Sequence, residues 1–241
     1  MGQSDVQADV QESPRRPWWR RPRPLALLAA LVLVVVGTQG HSGAVDHEAA
    51  DSVAQGEPTY AFLDRAPDGS PVGFRPCEPV AFEVNPAGAP PGWREIVRSA
   101  AAQVQAASKF RLLDEGTTDR RPSDPLRGSE PVLVSWSQDT ETDGLAGRVV
   151  GLGGSAAYDD GRGARFYTTG RITLDAVAFG RYVEDGDVAS ARAVLMHEWG
   201  HVLGLAHVDD DGELMNAANL GRTRFGDGDR LGFAALRGTE C

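Results

Sequence analysis

Between His197 and His207 the chain reads His197-Glu198-Trp199-Gly200-His201-Val202-Leu203-Gly204-Leu205-Ala206-His207, and few backbone paths satisfy that spacing. Residues i and i+4 of a helix project from one face, so His197 and His201 point the same way if the segment is helical. Glu198 then lies one step round the helix. His207 can rejoin the other two imidazoles only if the helix stops between them, and Gly204 stands where a chain can break and turn. Asp187 supplies an N-cap, so the pattern predicts a helix over Asp187 to Leu203 that ends at Gly204. Three converging imidazoles with an open fourth position suit catalytic zinc. Glu198, too displaced to be the third ligand, is placed to act as a base toward metal-bound water. The competing reading, a helix with satisfied polar side chains and no metal, fits a lone histidine far better than three at these spacings.

Met215 follows in Glu213-Leu214-Met215-Asn216. With HExxHxxGxxH complete from His197 to His207 and a methionine at this distance, the chain resembles the metzincins, and among them the matrixin-like bacterial enzymes. The resemblance spans roughly Val80 to Cys241, and its specific part is His197 to Met215. It implies an α+β, sandwich-like zincin fold with a mixed twisted sheet, two long helices, an active-site cleft and a mostly irregular C-terminal subdomain. It also implies one catalytic zinc on His197, His201 and His207, with Met215 flooring the site as the Met-turn without ligating. The function implied is an exported endopeptidase that hydrolyses peptide bonds of a protein or peptide substrate through a zinc-bound water activated by Glu198. The alternative is an exported module that retains zinc and binds without cutting, although a pure binder has no need of Glu198. The expected state is a monomer.

The remaining histidines, His41 and His47, both precede the region of resemblance, so the sequence cannot build the second, structural zinc site usual in animal matrixins. Calcium is conceivable at Gly226-Asp227-Gly228-Asp229 or at Asp209-Asp210-Asp211, but neither has EF-hand spacing and solvated acidic turns look the same. The formal charge of -10 disfavours a nucleic-acid groove, which needs clustered lysine and arginine. Five arginines between Arg15 and Arg23 precede the apolar run Leu25 to Val36, and small polar residues follow it. That order matches a secretory signal. The run is short for a membrane span, yet Trp18 and Trp19 beside arginines equally suit an uncleaved anchor over residues 25–38. The organisation read from the sequence is thus a signal peptide or signal anchor at 1–44, a solvated linker or stalk at 45–58 and the catalytic domain at 59–241. The domain is expected to be secreted or extracytoplasmic, touching a membrane only through that N-terminal segment.

Two cysteines, Cys77 and Cys241, form an even pair that outside the cell is most simply one disulfide. A second reading makes Arg75-Pro76-Cys77-Glu78-Pro79 a zinc-blocking cysteine switch, but the segment lacks that motif's glycine and aspartate.

Val80, Phe82 and Val84 alternate with Ala81 and Glu83 as in a half-buried strand. Trp93 to Ser108 carries an apolar stripe at helical spacing. Strands are expected at Phe110 to Leu113, Val132 to Trp136, Arg148 to Val150 and Arg171 to Leu174, with a glycine-rich stretch from Gly151 to Gly170 and a short helix over Asp229 to Arg237. The run Gly151-Leu152-Gly153-Gly154 superficially fits a dinucleotide fingerprint, but no helical pattern follows it. From the family resemblance, Gly144 to Ala156 either borders the cleft as an edge strand able to pair with substrate or is plain loop.

Overall fold

The computed structural model describes residues 59–128, 130–147, 149–159, 164–218 and 221–238. The predicted signal or anchor, the linker and Cys241 lie outside them, and all described residues fall in one compact unit of the chain. Among the described residues no helix is long and apolar enough to cross a membrane.

The elements run β1 (Val80–Val84), α1 (Trp93–Ser108), β2 (Leu112–Thr117), β3 (Val132–Ser137), β4 (Gly151–Asp159), β5 (Arg165–Asp175), α2 (Ala176–Glu184), α3 (Val188–Leu203) and α4 (Asp227–Arg237). The strands form one sheet ordered β2-β1-β3-β5-β4. β2, β1, β3 and β5 are parallel, and β4 lies antiparallel on β5 at the sheet's edge. This is the α+β mixed sheet that the sequence led us to expect.

Burial explains the order. β3 reads VLVSWS and is buried along its whole length, as a central strand must be, with the Ser135 hydroxyl donating to the Ile172 carbonyl at 3.1 Å. β1 buries Val80, Phe82 and Val84 while Ala81 and Glu83 stay half-buried, the period of two read from sequence. α1 sets Ile96, Val97, Ala100, Ala101 and Val104 into the core, then stops at Lys109, whose φ of 62° is left-handed. α3 is buried on almost every side from Ala191 to Leu203. Its Trp199 is fully buried and meets Phe82 of β1 edge to face at 5.5 Å, tying the helix to the middle of the sheet.

The structure corrects the sequence reading in four places. β5 begins at Arg165, inside the stretch read as glycine-rich connection, where the strand was expected from Arg171. Within the glycine-rich stretch, where edge strand and plain loop both stood open up to Ala156, Gly151–Asp159 form the edge strand β4; Val149 and Val150, read as a separate strand, precede it. β4 was hard to see because glycine carries no strand preference, and it forms because β5 offers it a partner along nine residues. β2 begins two residues later than Phe110 and runs on to Thr117. α2 was not expected at all, although Asp175 caps it, its carboxylate accepting from Val177 N at 2.9 Å and Ala178 N at 2.7 Å. The two long helices, α1 and α3, are therefore joined by two shorter ones among the described residues.

Candidate metal centre and active site

α3 starts at Asp187, whose carboxylate accepts from Ser190 N at 3.1 Å, and ends at Gly204. Gly204 has φ 122°, and a Cβ there would sit 2.7 Å from the Val72 carbonyl oxygen, so this turn admits glycine alone. The turn is held from outside the helix: Leu63 N donates to Gly204 O at 3.0 Å and Ala206 N to Ala61 O at 2.8 Å. Past the turn, Val208 pairs with Asn216 and its N–H donates to Met215 O at 3.1 Å, which fixes the segment bearing His207 against Glu213 to Asn216, the expected Met-turn.

The three histidines meet. Nε2 of His207 lies 3.0 Å from Nε2 of His197 and 3.0 Å from Nε2 of His201, and all three candidate ligand atoms fall within 4.8 Å of one another. Nδ1 of His197 donates to the Leu214 carbonyl at 2.7 Å, and Nδ1 of His201 to the Leu205 carbonyl at 2.8 Å. A carbonyl only accepts, so both protons sit on Nδ1 and both Nε2 atoms present lone pairs to the centre. Burial, ahead of any charge effect, lowers His197 to about 4 and His201 to about 3, and it lowers His207 too. All three rings are therefore neutral at pH 7. His207 can donate at most one Nε2 proton, so at least one pair of lone pairs faces without a hydrogen between them. A cation relieves that repulsion, and three neutral imidazoles are the donor set that catalytic zinc takes. Among the described residues this is the one group of side chains that could hold a metal; neither Cys77 nor either acidic run belongs to it.

Glu198 is buried beside this cluster, with 6% of its surface exposed. Burial pushes its carboxyl up to about 8. Met215 is buried beneath the helix, so close that a Cβ on Gly200 would stand 2.3 Å from its sulfur. Gly200 thus lets the thioether pass under α3.

Asp229 and Glu213 were missed as a pair by sequence reasoning, which saw in Gly226-Asp227-Gly228-Asp229 a solvated or calcium-binding turn running into a short helix from Asp229. The Asp229 carboxylate accepts from Leu214 N at 2.7 Å, Met215 N at 3.3 Å and Gly226 N at 2.9 Å. Glu213 in turn accepts from Gly228 N at 2.9 Å and Asp229 N at 2.8 Å, at the start of α4. Burial first, with the neighbouring Glu213 carboxylate adding to it, raises Asp229 above the usual carboxylate range. The pair clamps the Met-turn, and the Met-turn's Leu214 carbonyl orients His197. The available signal was an acid at the third position of a helix start, where a carboxylate caps backbone N–H groups. Asp210 is likewise engaged, accepting from Gly212 N at 2.8 Å and from the Thr59 hydroxyl at 2.9 Å.

The family model described as matrixin matches residues 132–230, from the start of β3 into α4. This part of the chain is matrixin-like, and together with the three-histidine cluster the match supports a zinc metallopeptidase. A search of curated proteins gives no match. A solved zinc-dependent peptidase from Methanocorpusculum labreanum (strain Z) is 14% identical, with a TM-score of 0.35 over 64% of this chain and 99% of that one.

The burial of Glu198 in the matrixin-like domain has a measurable consequence. A carboxyl raised from 4.5 to about 8 favours the fold while protonated, and that contribution is lost as pH rises through about 8. Glu198→Gln, uncharged throughout, escapes the loss. In metal-free protein the melting temperature of the variant relative to the parent should therefore climb from about pH 4.5 to about pH 8 and level off above. A difference that stays flat across this range, followed by calorimetry, would contradict the buried placement of Glu198.

Proposed function

We propose that this chain is an exported zinc-dependent endopeptidase with Glu198 as its general base. The observation that carries the reading is the convergence of three neutral Nε2 atoms beside a buried carboxyl one residue along the same helix. His197, His201 and His207 would hold the ion. When bound, zinc supplies a Lewis acid that acidifies water and polarises a peptide carbonyl. Glu198 accepts the proton from the water that attacks the scissile carbonyl and passes it to the departing amine. Burial makes it a strong base once ionised, and a cation held by the three neutral imidazoles would favour that ionised form. The cost of burying the carboxyl is thereby offset where its chemistry is needed.

The antiparallel edge strand β4 supports an extended peptide as substrate. Its outer edge has no strand beyond it among the described residues, leaving backbone donors and acceptors for a peptide to pair with. Export is supported by the arginine-rich segment followed by the apolar run Leu25 to Val36, with 1–44 as signal or anchor, 45–58 as stalk and 59–241 as catalytic domain. In an oxidising compartment Cys77, exposed near the start of the described domain, pairs with Cys241. Closing so long a loop stabilises the fold by roughly 3–5 kcal/mol.

Purified full-length chain loaded with zinc should cleave a mixed-sequence peptide library at internal bonds, while Glu198→Ala should retain an equal zinc content and lose nearly all turnover. Substantial activity in the zinc-loaded variant would remove Glu198 from the mechanism, and no cleavage by the parent would favour a binding module. For the disulfide, thiol titration of the denatured, unreduced protein should find no free cysteine; two titratable thiols would refute the pairing.

A further inference from the structure

The mechanism needs Glu198 held in one place, yet no hydrogen-bonding side chain among the described residues is seen to hold it. What surrounds it is the backbone of β4. Alternate residues of a strand share a face, and Gly151, Gly153 and Ser155 are those that β4 turns toward α3. The Ser155 hydroxyl donates to the Val202 carbonyl at 2.8 Å, fixing the strand against the helix. A Cβ on Gly153 would lie 2.4 Å from the Glu198 carbonyl oxygen, so the two backbones touch at that point. A Cβ on Gly151 would lie 2.8 Å from Cγ, 2.8 Å from Oε1 and 2.9 Å from Cδ of Glu198. Gly154, next to Gly153 and facing the other way, has open space around its missing Cβ.

We infer that Gly151 is a positioning residue for Glu198: its bare Cα is the wall against which the carboxyl rests, and any side chain there displaces the carboxyl from its place. The inference rests on the reading of Glu198 as base for its catalytic consequence, but the contact itself is independent of that reading. Gly153 serves the same arrangement one step along by letting the strand approach the helix backbone. Glycine at 151 is therefore kept for the volume it leaves, since its backbone is not in the left-handed region. This also accounts for a strand built from residues that make poor strands.

The test is a double-mutant cycle on the full-length chain: Gly151→Ala, Glu198→Ala and the double variant, with Gly154→Ala as a folding control. Zinc content, kcat, KM and melting temperature are measured for each. Gly151→Ala should keep its zinc and its KM and lose kcat by about a hundredfold, the scale of an ångström's misplacement of a reacting group. Its melting temperature should fall by several degrees with Glu198 present and hardly at all in the Glu198→Ala background, because the atoms that its methyl meets are then gone. Gly154→Ala should melt with the parent. An unchanged kcat, or a loss of melting temperature equal in both backgrounds, would overturn the inference. If Gly151→Ala fails to fold while the double variant folds, the coupling stands; failure of both would overturn it. Activity surviving in Glu198→Ala would instead sink the base assignment, leaving the thermal cycle to decide the contact.

Discussion

Two backbone carbonyls set the site. Leu214 and Leu205 each take an Nδ1 proton, from His197 and His201, and in doing so aim two lone pairs at the space that His207 enters from a third direction. Neither carbonyl is free to move. Leu205 belongs to the turn after Gly204, which is tied to Ala61 and Leu63, and Leu214 belongs to the Met-turn clamped by Asp229. The orientation of the imidazoles is therefore decided by the path of the chain after α3 more than by α3 itself. An imidazole's second nitrogen, fixed in this way, also settles its tautomer and strengthens it as a ligand.

The same region gathers buried polar groups that an apolar core would not tolerate. His197, Glu198, His201, Glu213, Asn216 and Asp229 are all buried. Burial of an unpaired carboxylate costs several kcal/mol. Glu213 and Asp229 offset the cost with backbone N–H groups around the start of α4 and the Met-turn, and they serve the structure by doing so. Glu198 has no such set among the described hydrogen bonds, and burial drives it toward the neutral form. The proposed role of Glu198 as a base draws on this difference: Glu213 and Asp229 are held by backbone N–H groups, whereas a cation on the three imidazoles would be what favours an ionised Glu198.

The sequence made legible whatever rests on short-range periodicity and on spacing. The i, i+4 pair, the glycine break and the third histidine foretold α3 and its turn, and the alternation of Val80, Phe82 and Val84 foretold β1. What escaped it depends on partners distant in sequence. β4 is a strand because β5 pairs with it, and its glycines look like a loop when read alone, although Gly151 and Gly153 are the ones that let it approach Glu198. α2 is only nine residues long and buries Phe179 fully, with Ala176, Tyr182 and Val183 half-buried beside it, so its apolar stripe is too short to stand out from sequence. The acid of Asp229 was visible, but the Met-turn that it holds is about fifteen residues away along the chain, with nothing local to link them.

The claim on which the rest depends is that three imidazoles share one ion. Zinc K-edge X-ray absorption on the zinc-loaded full-length chain reads the ion's neighbours directly. The account predicts three histidine rings with their outer-ring scattering, light-atom neighbours only, and the loss of one ring in His207→Ala. A sulfur neighbour, or fewer than three imidazoles in the parent protein, would contradict it.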